Sequence, residues 1–244
     1  GRSGSGGVRS RRLRNALIVA EIALSLVLLV SAGLLLRSFF HLLRVEPGLK
    51  VDRLLTARLP MPAYRVSDPK LQPAYYAELL QRIQTLPGVH SAGLVTVLPL
   101  SGGEATMTIR TTHDDGTTEE RSYPFRAVSS DYFRAMGIPL IAGRTFTDAD
   151  RAGAPPVAIV NEALARRLWP GQNPLDRQLR LQNWLTVVGV VGNVRHSGLG
   201  KAIQGELFLP YLQRLGTPNT ALVVRTHSDP LSICLLYTSD AADE

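Results

Sequence analysis

A long apolar stretch near the N-terminus dominates the hydropathy pattern of the chain. Residues 16–36, ALIVAEIALSLVLLVSAGLLL, contain one charged residue, Glu21. About 20 apolar residues at 1.5 Å rise cross the roughly 30 Å core of a bilayer, so this stretch predicts one membrane-spanning helix. Helices buried in soluble domains rarely run this long without a polar face. We assign residues 15–43 to the helix and its outward extension, and Pro47-Gly48 stops it.

After residue 44 the apolar positions occur in short runs, which predict alternating strands and short helices. A strand at 54–59, a helix between Asp68-Pro69 and Pro87-Gly88, and a strand at 91–98 outline a βαβ unit. Two strands flank HDDGT, whose Asp-Gly pair is typical of a hairpin turn. Further strands are predicted at 138–141, 157–160, 178–181, 185–194, 206–209 and 221–226. The pattern predicts an α+β domain with two βαβ-like lobes around a hairpin-rich middle.

Two short helices carry recognisable end signals. Ser130-Asp131 is predicted to cap a helix that ends at Gly137. Asn161 is predicted to cap a helix that ends at Trp169-Pro170-Gly171, with Ala163, Leu164 and Leu168 facing the core.

Charge determines the orientation of the predicted span. Five Arg residues precede it without an acidic residue among them: Arg2, Arg9, Arg11, Arg12 and Arg14. They account for five of the seven net positive charges, so the basic balance is mainly a topogenic signal and does not indicate nucleic-acid binding. This excess of positive charge ahead of the span predicts that the N-terminus lies in the cytoplasm and that residues 44–232 lie outside. A signal peptide is the alternative, but the apolar run is too long and lacks a clean cleavage site.

Sequence motifs for covalent chemistry are missing. The chain has no GxxxxGK[ST], GxSxG or HExxH motif, and its single cysteine, Cys234, excludes a disulfide framework. A carboxylate pair for hydrolysis is one interpretation of Asp114-Asp115 and Glu119-Glu120, although these residues are more simply explained as the solvated ends of a hairpin. The five His residues are scattered: His41, His90, His113, His196 and His227. We predict no enzymatic activity, no cofactor, and no catalytic, cofactor-binding or metal-ligating residue.

Three consecutive segments carry a family resemblance. They are VSSDYFRAMGIPLIAGRTFTDAD at 128–150, NEALARRLWPGQNPLDRQLRL at 161–181 and TVVGVVGNVRHSGL at 186–199. Together with the Arg-flanked span, they resemble MacB-type, FtsX-like ABC transporter permeases, especially the duplicated acidobacterial type. The resemblance runs from about Arg11 to Leu231.

The resemblance implies an architecture and a function. It implies a transmembrane helix followed by a MacB-like periplasmic core domain, in which a porter-like βαβ lobe carries a smaller inserted lobe. In this family a separate ABC ATPase subunit or domain drives motion that the permease transmits to its periplasmic domain, for export or mechanotransmission. The implied partners are that ATPase, another permease half or protomer, a periplasmic adaptor and membrane lipid, without nucleic acid. The resemblance assigns fold-determining roles to Phe133, Gly137, Gly143, Arg144 and Phe146, with an internal ion pair for Arg144.

The resulting domain division has four parts. Residues 1–14 are a cytoplasmic basic linker, residues 15–43 are the helix, and residues 44–232 are the periplasmic core domain. Residues 233–244 resemble translated adapter or assembly sequence and are left out of the fold prediction. The predicted location is the bacterial inner membrane. The alternative functions are the extracytoplasmic sensor domain of a single-pass receptor or kinase, and a membrane-anchored hydrolase.

Overall fold

The chain forms two compact units, Gly1–Val45 and Glu46–Glu244. The computed structural model describes residues 6–43, 47–60, 72–112, 118–181, 183–196, 198, 200–213 and 219–230. Three predicted features fall outside these ranges: the helix start at Asp68-Pro69, the HDDGT turn and the segment 233–244. Each unit is described by itself.

The first unit is one helix, α1, spanning Gly6–Leu43. Its side chains from residue 11 to residue 41 are exposed. Within the described residues, Arg11–His41 is the one helical stretch with the length and composition to cross a membrane. The helix continues past Leu36, as predicted. It also begins earlier than predicted, and residues 6–14 of the expected linker are helical. The Arg and Leu residues among them have high helix propensity, and extending an existing long helix costs little.

The second unit is a mixed α+β domain, which confirms the predicted class. Its strands and helices, in chain order, are β1 (Leu54–Pro60), α2 (Gln72–Gln84), β2 (Val89–Val95), β3 (Thr106–Thr112), β4 (Thr118–Val128), α3 (Tyr132–Met136), β5 (Leu140–Gly143), β6 (Val157–Asn161), α4 (Glu162–Leu168), β7 (Gln178–Arg180), β8 (Trp184–Val191), β9 (Leu207–Pro210), a 3₁₀ turn (Tyr211–Gln213) and β10 (Asn219–Thr226).

One lobe, here called the three-stranded lobe, consists of β1, β10, β2 and α2. Strand β10 lies between β1 and β2 and is antiparallel to both, so β1 and β2 run parallel without touching. The predicted βαβ unit is therefore present, with the last strand of the domain inserted into it. Strand β10 is buried on both faces, which explains its uninterrupted ALVV run. Leu222 and Val224 pack with Tyr76 of α2, and Ala221 and Val223 pack on the opposite side.

The other lobe is a closed ring of six strands. Hydrogen-bonded pairing runs β4–β3–β7–β8–β6–β9 and returns to β4, with β6–β8 and β4–β9 parallel. Strand β5 pairs with β8 outside this ring. Closure leaves no free edge in the ring itself. Its interior is filled by a buried apolar cluster that includes Ile109, Val160, Leu164, Leu179 and Leu207.

Aromatic residues of the family motif fill the region where the lobes join. The ring centroid of Phe133 in α3 lies 5.1 Å from that of Phe208 and 6.3 Å from that of Phe146. Gly137 ends α3 in the left-handed conformation (φ 67°). Gly143 has φ 75°, and a Cβ there would lie 2.3 Å from the Val188 carbonyl oxygen. These close packings agree with the fold-determining roles expected from the resemblance.

The two predicted helix caps have different outcomes. The Asn161 side chain accepts a hydrogen bond from the Leu164 N–H at 2.9 Å, which confirms its cap on α4. Asp131 stands at the N-cap of α3 and Gly137 ends the helix, as predicted, but the Asp131 side chain makes no cap hydrogen bond. Its carboxylate instead accepts from Gln84 at 3.0 Å and pairs with Arg134 at 3.0 Å. Gln84 and Arg134 therefore take the place of the backbone N–H groups as partners of the Asp131 carboxylate.

Candidate functional site

A densely hydrogen-bonded surface region joins residues near the start of the second unit to residues at and just after the end of β10. We call residues 47–53 the entry segment and residues 225–229 the exit segment. Arg225, near the end of β10, donates to three backbone carbonyls: Nη2 to Lys50 at 2.6 Å, Nη1 to Asp52 at 2.9 Å and Nε to Ala135 at 2.7 Å. One guanidinium therefore joins the entry segment, β10 and α3. Partial burial lowers the pKa of Arg225, and the nearby Asp52 charge opposes that shift.

Direct contacts also join the two segments to each other. The Thr226 N–H donates to the Arg53 carbonyl at 3.0 Å, and Arg53 Nη1 donates to the His227 carbonyl at 2.8 Å. Arg53 itself has φ 55°, a left-handed conformation that non-glycine residues rarely adopt. Such strain persists only where surrounding contacts fix the backbone. The entry segment and the exit segment thus hold each other in register.

The entry segment is also bonded to the rest of the domain through its backbone. The Lys50 N–H donates to the Met136 carbonyl at 3.0 Å, and the Arg195 N–H donates to the Pro47 carbonyl at 2.9 Å. Gly48 has φ 77°, and a Cβ there would lie 2.0 Å from the Asn193 carbonyl oxygen. Only glycine fits this backbone approach. We call this set of contacts the anchor.

A buried charge cluster lies in the ring lobe. Arg126 of β4 contacts one carboxylate oxygen of Glu206, and His196 Nε2 lies 2.6 Å from the other oxygen. All three side chains are at most 7% exposed. Arg126 Nε also donates to the Val97 carbonyl at 2.9 Å. A carboxylate shared by two partners compensates the cost of burying the guanidinium.

Burial and charge determine the protonation states in this cluster. Burial, aided by the positive charge of Arg126, lowers the pKa of His196 to about 2. The imidazole is therefore neutral at physiological pH, and its Nδ1 has no hydrogen-bond partner among the described residues. Burial likewise raises the pKa of Tyr132, whose hydroxyl stays protonated. Burial also lowers the pKa of Arg126, which still remains positively charged because the ordinary value is so high.

Arg144 forms an ion pair, as the resemblance implied. Its Nη1 and Nη2 atoms lie 2.7 and 2.9 Å from the two carboxylate oxygens of Asp150. The hydrogen bond from Arg144 is the main cause that lowers the pKa of Asp150, and the Thr147 N–H adds to it. The pair is less internal than expected, because the Arg144 side chain is 47% exposed.

A cleft of about 730 Å³ lies between α2 and residues 146–152. Its walls include Gln81, Gln84, Asp148 and Arg151, over a floor of Leu94 and Val128. Within the described part of the chain, no three His, Cys, Asp or Glu side chains are grouped so as to hold a metal ion. Among its lining residues, the Thr147 hydroxyl lies 3.3 Å from an Asp150 carboxylate oxygen, and that same oxygen also accepts from Arg144.

The scattered histidines and paired acids of the sequence have distinct positions. His196 lies in the buried cluster, whereas His90 and His227 are exposed neighbours with ring centroids 5.0 Å apart. Glu120 pairs with Arg110 across the β3–β4 hairpin. His113 and Asp114-Asp115 lie outside the described residues. Sequence reasoning missed Arg126, Glu206 and Arg225, since single charged residues in strand-like segments carry no motif.

The sequence of the predicted span and of both lobes matches one protein family. A model of the MacB-like periplasmic core domain matches residues 16–238. The chain belongs to this family. The three segments that carried the resemblance all lie inside the matched range, so that identification is confirmed.

Two curated relatives of this MacB-like chain are transporter components. The macrolide export ATP-binding/permease protein MacB of Marinobacter nauticus is 29% identical over 121 residues, which cover 49% of this chain and 18% of the relative. The pyoverdine export ATP-binding/permease protein PvdT of Pseudomonas aeruginosa is 25% identical over 152 residues, which cover 60% of this chain and 21% of the relative. The chain therefore spans about a fifth of the length of the curated relatives it matches.

A solved structure supports the MacB-like fold. The periplasmic region of MacB from Actinobacillus actinomycetemcomitans aligns with a TM-score of 0.50 at 15% identity. The alignment covers 82% of this chain and 88% of that one. At this identity the likeness concerns the fold alone, and it confirms the predicted α+β architecture of the periplasmic domain.

Proposed function

We propose that this chain is part of an ABC transporter permease subunit that transmits ATPase-driven motion across the inner membrane to its periplasmic domain. The observation that supports this function best is the anchor. The segment that follows α1 is bonded through its backbone to β10, α3 and residue 195. A displacement of the entry segment would then be passed to both lobes of the second unit.

Several finer statements belong to the same proposal. The N-terminus lies in the cytoplasm, residues 15–43 cross the membrane and residues 44–232 form the periplasmic domain. The partners are a separate ABC ATPase subunit or domain, a second permease half or protomer, a periplasmic adaptor and lipid. No covalent chemistry is proposed for the domain. The MacB and PvdT relatives support export as the output of the motion.

Nucleotide-dependent proteolysis tests the transmission of motion. The permease and its ATPase are reconstituted in nanodiscs, and chymotryptic cleavage of residues 44–232, which does not depend on arginine, is followed without nucleotide and with ATP–vanadate. We expect the cleavage pattern of the parent protein to depend on nucleotide. Arg225→Ala should lose that dependence while ATP hydrolysis continues, whereas Arg82→Ala, a surface control, should behave like the parent. Equal nucleotide dependence in the parent and Arg225→Ala proteins would refute the proposed role of the anchor.

Orientation and context are tested separately. Protease added to spheroplasts should digest residues 44–232, and protection of this domain would contradict the proposed topology. Sequencing the source DNA beyond both ends should reveal further membrane spans. A single span followed by a kinase or methyl-accepting module would instead support the sensor alternative.

A further inference from the structure

Two imidazole side chains meet beside the anchor. The ring centroids of His90 and His227 lie 5.0 Å apart with an interplanar angle of 76°, and both residues are exposed. The His227 N–H donates to the Gly88 carbonyl at 2.8 Å, which fixes its backbone against the start of β2.

Strand register explains why the two rings converge. Arg225 pairs with Ser91 and Thr226 pairs with Val89, so His90 is the extra residue of a β-bulge. A bulge bends the strand and redirects the side chain of the extra residue. The bulge therefore brings the His90 ring against a residue beyond the end of β10. Neither imidazole belongs to the buried cluster of the ring lobe.

We propose that His90 and His227 form a two-imidazole binding site for a borderline divalent transition metal, Cu²⁺ or Zn²⁺. Imidazole nitrogen is a preferred ligand of both ions. Small side-chain rotations from the observed ring contact bring one nitrogen of each residue to a common ion, and water completes the coordination. The rings lie in an open cup, so an ion and its waters have direct access.

The charged groups around the cup are one carboxylate and two guanidinium groups. Asp52, Arg53 and Arg225 line it together with the two rings. Hydrogen bonds to backbone carbonyls fix both guanidinium groups, which keep their positive charge, so the affinity for the ion must come from the imidazole nitrogens. Asp52 supplies a negative charge at the rim. Metal binding here does not depend on the proposed transport function.

Metal binding would clamp the exit segment to the start of β2. An ion that binds the folded state and not the unfolded state stabilises the protein by mass action. At a free metal concentration about 100 times the dissociation constant, the melting temperature should rise on the order of 5–10 °C for a domain of this size.

Phenylalanine substitutions separate a metal site from a simple packing contact. His90→Phe and His227→Phe retain an aromatic ring but lose both nitrogens. The full chain is purified in detergent without a polyhistidine tag, Zn²⁺ binding is measured by calorimetry, and Cu²⁺ is examined by electron paramagnetic resonance. His41→Phe, which removes an imidazole from α1, is the matched control.

We expect one equivalent of metal per chain and copper spectra with hyperfine coupling from two nitrogens. Each of the two test variants should bind at least about tenfold more weakly, a loss in the range typical of damaged metal sites. Their metal-free melting temperatures should match that of the parent, and His41→Phe should bind like the parent. The absence of binding by the parent, coupling from fewer than two nitrogens, or unchanged affinity in His90→Phe would overturn the proposal.

Discussion

Arg126 in the ring lobe and Arg225 at the anchor show two different uses of the same side chain. Arg126 is buried against Glu206, with its Nε bonded to the Val97 carbonyl. Arg225 is partly exposed and donates to three carbonyls from two other segments. The first arrangement compensates a charge inside one lobe. The second adds connections between the entry segment, β10 and α3, which backbone hydrogen bonds also join to one another.

The difference leads to different expectations for folding stability and for the proposed transmission of motion. Loss of a buried ion-pair partner leaves an uncompensated charge, which is strongly destabilising. Loss of a surface guanidinium exposes carbonyls that water can reach, so the free energy of unfolding changes less. We therefore expect substitutions in the ring lobe to reduce folding stability, and substitutions at the anchor to reduce coupling more than stability.

The largest expected effect is that of Arg126→Met. It leaves the Glu206 carboxylate buried beside a neutral imidazole, and it should lower the free energy of unfolding by about 3–5 kcal/mol. Urea denaturation of the chain in detergent measures this change. The double variant Arg126→Met/Glu206→Leu should recover most of the loss, since replacing a whole buried pair by apolar groups is often neutral. Failure to recover would mean that packing, and not the unpaired charge, dominates.

Gly48→Ala tests how firmly the backbone of the entry segment is held at the anchor. Both Gly48 (φ 77°) and Gly171 (φ 72°) are left-handed, but a Cβ at Gly48 meets the Asn193 carbonyl, whereas a Cβ at Gly171 meets nothing within 4 Å. We expect about 1–2 kcal/mol of destabilisation for Gly171→Ala and about 2–4 kcal/mol for Gly48→Ala. Thermal melts of the two variants measure the difference. Equal losses would show that the entry segment relaxes freely and is not firmly held.

The structure shows which of these features can be predicted from sequence. The Asn161 cap and the positions of most strands follow from neighbours within a few residues, and they were predicted. The position of β10 between β1 and β2, and the meeting of Arg126 with Glu206, depend on residues far apart in the chain. No local pattern encodes such pairings, so sequence reasoning assigned β1 and β2 to a simple βαβ unit and gave the two charges no role.

Acid should destabilise the ring lobe through His196. Its pKa is about 2 in the folded protein and 6.5 ordinarily, so the unfolded chain binds the proton more readily between these values. The contribution is fully present above pH 6.5 and is lost as the pH falls below it. Between pH 7 and pH 5 the loss should be about 2 kcal/mol. Denaturation at both pH values measures it, and His196→Phe should remove this part of the pH dependence; an unchanged dependence would contradict the assignment.

The smallest expected effect on stability is that of Arg225→Ala. Although three hydrogen bonds are lost, the Lys50 and Asp52 residues that accept two of them are exposed, so water replaces the donor. We expect about 1–2 kcal/mol of destabilisation, against less than about 0.5 kcal/mol for Arg82→Ala in the exposed Glu78–Arg82 pair. Hydrogen exchange at the entry segment should nevertheless accelerate in Arg225→Ala. A loss as large as that of Arg126→Met would remove the distinction between the two regions.

The most direct test of transmission through the anchor is a distance measurement between the two units. Spin labels are placed at Ser38→Cys and Asp148→Cys, with Cys234→Ser, in the permease reconstituted with its ATPase. Double electron–electron resonance is recorded without nucleotide and with ATP–vanadate. We predict a narrow distance distribution that shifts with nucleotide in the parent, and a broad, nucleotide-independent distribution in Arg225→Ala. An Arg225→Ala protein with the same distribution and the same shift as the parent would show that the anchor does not transmit the motion.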